Sequence, residues 1–321
     1  MKEKILSSLL AAALVCVFMG GYAPSAEATE FPTREISLVV PHGPGGGADL
    51  LSRIISAGME GYLGVPIIVR PMPGANTAIG NTFVLNAPAD GYTILLYSEP
   101  TTYISQISQE VHYTVDDFVG IGGMNMDTGF LAVRMESPFE TIEDLVAASK
   151  EQRLIVGLSQ RFGIHAFSTL RMAEELGMNL DNLVLLPYDS SSEQNMALLG
   201  GHIDFMGRAG MMPDPNTVRI LAVAWNERLP GLEDVPTVKE ITGNDLRIIA
   251  SRGLSAHRDT PPEILAKLKG AFNYAINKPE IREQIEAIGM GFANMSGEEF
   301  DALNKELRRQ VDERIDLFIG S

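Results

Sequence analysis

The amino-acid sequence predicts an α/β protein of two lobes, each a mostly parallel sheet flanked by helices. Three observations carry that expectation. Short apolar, β-branched runs alternate with segments of helical periodicity. The alternation restarts after a glycine-rich stretch around residues 120–129, and a mostly helical tail follows from Pro261. A chain of 321 residues is long enough for about two domains. Its 45% hydrophobic against 21% charged residues describes a chain that folds around a core.

The elements follow in order. Lys2 and Lys4 open the chain, and residues 5–19 then run apolar without charge. That is the length of a signal-peptide core and short for a membrane span. Ala26-Glu27-Ala28 offers small residues at the two positions signal peptidase reads, so residues 1–28 are expected to be removed. Cys16, the single cysteine, lies within that apolar run. A lipid anchor would make it the first mature residue, but the preceding Val15 is bulky where a small residue is needed. With Cys16 removed, the mature chain has no thiol. That excludes a disulfide framework, a cysteine-based zinc site and thiol catalysis.

Ile36-Ser37-Leu38-Val39-Val40 reads as a buried strand closed by Pro41. Leu51, Ile54, Ile55 and Tyr62 then recur at helical spacing up to Gly64. Pro66-Ile67-Ile68-Val69 and Tyr92-Thr93-Ile94-Leu95-Leu96-Tyr97 are the next strands. A β-α-β-α-β order calls for a parallel sheet with helices on its faces. Beyond the glycine-rich stretch, strands read at residues 154–156, 183–186, 203–206, 218–223 and 246–250. A helix holding Phe167, Leu170 and Leu176 lies between the first two of these, and Pro262 starts a helix in the tail.

Open α/β sheets bind ligands beyond the carboxyl ends of their strands, which makes two strand-to-helix turns candidates. The first is Pro41-His42-Gly43-Pro44-Gly45-Gly46-Gly47-Ala48-Asp49. Its glycines let backbone N–H groups approach a ligand, and the helix that follows adds unpaired donors and the positive end of its dipole. Together these suit a carboxylate or a phosphate. Asp49 either joins the site or only caps those donors. Gly43-x-Gly45-x-x-Ala48 also fits a dinucleotide fingerprint, but the second strand ends in Arg70-Pro71 instead of an acid that would hold a ribose. An arginine there could meet a 2′-phosphate.

The second turn is Gly157-Leu158-Ser159-Gln160-Arg161-Phe162-Gly163-Ile164-His165. Ser159 and Gln160 can hydrogen-bond an acid group. Arg161 either grips one bidentately or stands in solvent as a surface residue. His165 is a candidate base or a packed, helix-capping histidine. Tyr188-Asp189-Ser190-Ser191-Ser192 and Arg208 follow later strands, where they line a cleft or form plain polar loops.

A net charge of −16 repels a phosphate backbone, so no nucleic acid is expected. His42, His112, His165, His202 and His257 never pair at helical spacing, and neither His-Glu-x-x-His nor Gly-x-Ser-x-Gly occurs. A metal site and a hydrolase elbow therefore have no local support. The chain reads as a binding protein that needs no cofactor.

Several motifs follow one another in order. They are the turn at residues 41–49, the strand and Pro-Gly-Ala loop at 64–75, Asp90-Gly91-Tyr92-Thr93, and Tyr113 with Asp116-Asp117-Phe118. Gly163-Ile164-His165, Pro187-Tyr188, Gly200-Gly201-His202-Ile203-Asp204, Leu221-Ala222-Val223 and Asp234-Val235-Pro236-Thr237 complete the series. From Phe31-Pro32 to the last helix the chain resembles the solute receptors of tripartite tricarboxylate transporters, the Bug family.

That resemblance implies a two-lobed periplasmic binding fold (type II-like) with a ligand cleft between the lobes. Residues 29–124 and 248–321 would form lobe 1 and residues 125–247 lobe 2. It implies a periplasmic receptor, expected as a monomer, that captures a small organic acid and delivers it to a membrane permease without catalysis, metal or cofactor. The expected ligand-binding residues are His42, Gly43, Pro44, Gly45, Gly46, Ala48 and Asp49 from the first turn. Ser159, Gln160, Arg161, Phe162, Gly163 and His165 come from the second, and Ser98, Tyr188, Asp189 and Arg208 would read the rest of the ligand. Arg70-Pro71, Arg161 and Asp189 depart from the usual family residues, and the last two point to a ligand carrying both charges. The rival reading is an exported or NADP-dependent α/β enzyme that uses the first glycine turn. A signal peptide counts against it, because reduced dinucleotides are not supplied outside the cytoplasm.

Overall fold

Strand β1 (Ile36–Val40) is almost wholly buried and lies between β2 (Ile67–Pro71) and β3 (Thr93–Glu99), parallel to both. Helix α1 (Gly47–Leu63) carries the chain from β1 towards β2 and ends at Gly64, whose φ of 72° is the left-handed cap that glycine takes without strain. Helices α2 (Ala78–Asn86) and α3 (Thr101–Ser108) flank β3 in sequence. The computed structural model describes residues 30–159, 162–188 and 190–315. The signal-peptide reading, Cys16 and the end of the tail near Ile319 lie outside them, as do Gln160, Arg161 and Asp189. The chain divides after Thr33 into two units, and the second holds every element described.

The glycine-rich stretch, which carries no strand signal in the sequence, lies within the longest strand among the described residues. β4 (Phe118–Arg134) runs for 17 residues. Its glycines are places where other elements press onto the strand. A Cβ on Gly122 would sit 2.2 Å from the Phe272 ring, and one on Gly120 2.6 Å from the Gly297 carbonyl oxygen. One on Gly129 would sit 2.4 Å from the Ser168 hydroxyl. Glycine in a strand interior commonly marks such close approach.

The second α/β pattern comprises α4 (Ile142–Glu151), β5 (Leu154–Ser159), α5 (Ile164–Glu175), β6 (Leu183–Tyr188), α6 (Ser191–Leu199), β7 (Phe205–Ala209), β8 (Val218–Val223) and α7 (Val238–Thr242). The chain then returns through β9 (Ile249–His257), α8 (Pro262–Ile276), α9 (Pro279–Ala287), β10 (Phe292–Ser296) and α10 (Gly297–Asp312). The strand expected at 246–250 thus starts at Ile249 and runs longer, and the one expected at 203–206 starts at Phe205. Strands follow the order β2-β1-β3-β9-β4-β7-β5-β6, with β8 and β10 also on β4. Pairing is parallel towards both ends and antiparallel in the middle, where β9 and β4 meet. The first part of β4, Phe118 to Thr128, pairs with β9, and its last residues pair with β7 and β8. This is an α/β architecture, a mixed sheet with helices packed on it. Among the described residues no helix is long and apolar enough to cross a membrane.

Candidate functional site

Four helices point their N-termini at one cavity. Its walls include Gly46, Gly47 and Ala48 at the start of α1, Thr101 at the start of α3, Ile164 and His165 at the start of α5, and Ser190 and Ser191 at the start of α6. The N-caps of α1, α3 and α5 are Gly46, Pro100 and Gly163, none of which makes a side-chain capping bond. Backbone donors in the first turn of a helix have no partner within it, and the dipole there favours negative charge. Only α6 is capped, by Ser190, whose hydroxyl accepts from the Glu193 N–H at 3.2 Å. The cavity has a volume of about 40 Å³. One water needs roughly 10–15 Å³, so the space suits a few waters or one carboxylate.

Side chains complete the walls. The His42 ring nitrogen Nε2 lies 3.0 Å from the Ser98 hydroxyl. The Ala209 N–H donates to His165 Nδ1 at 3.1 Å, which places the proton of the neutral ring on Nε2. Burial and the nearby Arg252 guanidinium lower the His42 pKa to about 3. Burial, followed by Arg252 and Arg208, pushes His165 well below the usual histidine range. Both rings are therefore neutral at pH 7. Glu99, also on the wall, is raised to about 7 by burial, against the opposing pull of Arg308 at 2.8 Å. The basic member of the wall is Arg252 on β9, whose Nη1 pairs with Asp127 Oδ2 at 2.8 Å. Helix N-termini, neutral imidazoles and a buried guanidinium are chemistry that suits an anion.

A family model described as the tripartite tricarboxylate transporter family receptor matches residues 51–316. The chain belongs to this family. It is 31% identical over 269 residues to the UPF0065 protein of the tcbD-tcbE intergenic region of a Pseudomonas species, covering 81% of this chain and 79% of that one. MatC from Rhodopseudomonas palustris with bound malate is similar in structure, at a TM-score of 0.79 and 24% identity, over 88% of this chain and 99% of that one. An R. palustris protein with adipate aligns at a TM-score of 0.80 and 22% identity, over 90% and 98% of the two chains. Family and neighbours are solute-binding proteins and not enzymes, so the dinucleotide-enzyme reading of the first turn falls away. Arg70, the residue that kept it open, is exposed and paired with Glu35 at 3.5 Å.

The receptor brings His42, Gly43, Gly46, Ala48, Ser98, Ser159 and His165 together on the cavity wall. Pro44 and Tyr188 line a separate, neighbouring hollow with the loop at Pro73 to Asn76. Gly45, Asp49, Phe162, Gly163 and Arg208 are not on the wall. Asp49 accepts from the Gly45 N–H at 3.1 Å and pairs with Arg53, so its carboxylate closes the turn from behind. Arg208 is 1% exposed, and its guanidinium donates to the Met211 carbonyl at 3.2 Å. Sequence reasoning missed Glu99, Thr101 and Arg252. Glu99 and Thr101 could have been found from their place at the end of β3 and just after it. Arg252 carries no local signal, since its partner Asp127 lies 125 residues earlier.

Proposed function

We propose that this receptor is exported to the periplasm, where as a monomer it captures a small organic acid and delivers it to the permease of a tripartite tricarboxylate-type transporter. The observation that carries the reading is the convergence of four helix N-termini and a buried arginine on one carboxylate-sized cavity. Membership of the receptor family supports it, as do neighbours of the same fold with malate and adipate bound. Residues 29–124 with 248–321, and residues 125–247, are proposed as the two lobes, which would close about the strand crossings of β4 and β9. Ser192 on α6 donating to the Gly45 carbonyl at 3.2 Å is a contact that such closure would make. His42, Gly43, Gly46, Ala48, Ser98, Ser159 and His165 are proposed to surround the acid. Gln160, Arg161, Tyr188 and Asp189 are proposed as further ligand-binding residues.

A thermal-shift screen tests the reading. Malate, adipate and related acids should raise the melting temperature, by linkage to the folded state, while dinucleotides should not. A flat response to every acid, together with no small acid in the native mass spectrum of freshly purified protein, would remove it.

A further inference from the structure

The charges around the cavity do not balance. Asp49 has Arg53, Glu99 has Arg308, and Asp127 has Arg252. That leaves Arg208, buried and 5.9 Å over the Phe130 ring, with no acid in ion-pair distance among the described residues. Its bonds run to the Met211 carbonyl and to the Met206 sulphur, and its Nε has no partner. Leaving a buried charge unpaired is costly, and an anion held nearby would offset part of that cost.

Arg252 has the geometry to meet that anion. It is 7% exposed and lies on the cavity wall. Nη1 is fully used, donating to Asp127 Oδ2 and Asn125 Oδ1, each at 2.8 Å. The other edge is not. Nε has no partner, and Nη2 reaches only the Ala209 carbonyl at a long 3.5 Å. That Nε–Nη2 edge is one of the guanidinium forks that bind a carboxylate by two parallel hydrogen bonds. It lies beside Gly210, itself on the wall, where a Cβ would come 3.4 Å from Nη2.

We propose that Arg252 is the specificity-determining residue of this receptor: its Nε–Nη2 edge takes the ligand carboxylate, Asp127 and Asn125 hold the guanidinium in place, and Arg208 supplies charge from behind. The proposal rests on the acid-receptor reading above. It predicts discrimination against an uncharged isostere, because an amide offers an N–H donor where the fork already donates.

Titration calorimetry on the full mature chain with malate, adipate and the diamide of each tests this. Wild type should prefer the better acid over its diamide by about 10- to 100-fold, the size of a charge-assisted hydrogen bond. R252Q should reduce that ratio to about 3-fold or less. R252K keeps a cation for Asp127 but loses the fork, and should fall between; it decides the matter if R252Q does not fold. A purely structural Arg252 would weaken acid and amide alike and leave the ratio unchanged, which overturns the proposal, as does a wild-type ratio near one. If wild type binds neither acid nor amide, the receptor reading itself fails and takes this proposal with it.

Discussion

The two glycine turns that meet at the cavity do one job by different means. In the first, Gly45 takes a φ of 75°, a conformation open to glycine, and Asp49 ties back its N–H. What then faces the cavity at Gly46, Gly47 and Ala48 is backbone at the mouth of α1. In the second, the backbone at Gly163 is extended, and the wall is made by the side chains of Ser159 and His165, the latter pinned by the Ala209 N–H. A backbone site can be covered but not deleted. A side-chain site can be deleted, at a cost to whatever pins it.

The largest expected effect comes from covering the first turn. Gly47→Leu should lower acid affinity by at least ~100-fold in calorimetry, about 2.7 kcal/mol, because the new side chain occupies the cavity. The nearest atom to its Cβ is the Met290 sulphur at 3.1 Å, the end of a flexible side chain, so the melting temperature should move little. Affinity within ~3-fold of wild type would place the acid elsewhere.

Deleting from the second turn should cost stability. His165→Ala leaves the Ala209 N–H buried without its acceptor, a loss of about 1–3 kcal/mol in urea denaturation. An unchanged midpoint would mean that the ring does not pin the turn.

Acid attacks both turns together. His42 and His165 stay neutral in the folded protein, while the unfolded chain takes up their protons below the ordinary value of 6.5. Stability should therefore fall as pH drops through that value. Glu99 works in the opposite sense, since the folded protein holds its proton up to about 7 and the unfolded chain releases it above 4.5. Between those limits two protons gained on unfolding outweigh one released. The net loss is about 1.4 kcal/mol for each unit of acidification near pH 5.5. Glu99→Gln should steepen it to about 2.7 kcal/mol per unit, and denaturation curves at three pH values would show whether it does.

The smallest effect belongs to the residue behind the first turn. Asp49→Ala removes the bond to Gly45 and the pair with a half-exposed Arg53, for about 1 kcal/mol of stability. Acid affinity should stay within about 3-fold, because the cavity keeps its donors. A larger loss would put the Asp49 carboxylate in the binding machinery.

Much of the fold was legible because it is local. The apolar run of β1, the helical spacing of α1 with its glycine stop, and Pro262 at the first turn of α8 each follow from a few neighbouring residues. β4 was not legible. Gly120, Gly122, Gly123 and Gly129 carry no β-branched signal, and they form a strand only because α8, α10 and α5 press onto it from distant parts of the chain. The candidate site divides the same way. His42, Gly46, Ala48 and His165 were found from glycine-rich turns next to apolar strands, whereas Arg252 was not, because what makes it a wall residue is β9 lying against β4.

By itself, then, the chain's order of residues determined which segments are strands and helices at the two ends of the sheet, and which two bends could offer donors to an acid. Periodicity, caps and turn chemistry act within a few residues of one another, so a linear reading captures them. Only the folded arrangement decided that four helix starts converge, that Asp127 anchors an arginine far along the chain, and that Arg208 is buried without an acid beside it. Electrostatics and burial depend on distance through space, and strand pairing sets that distance independently of separation along the chain.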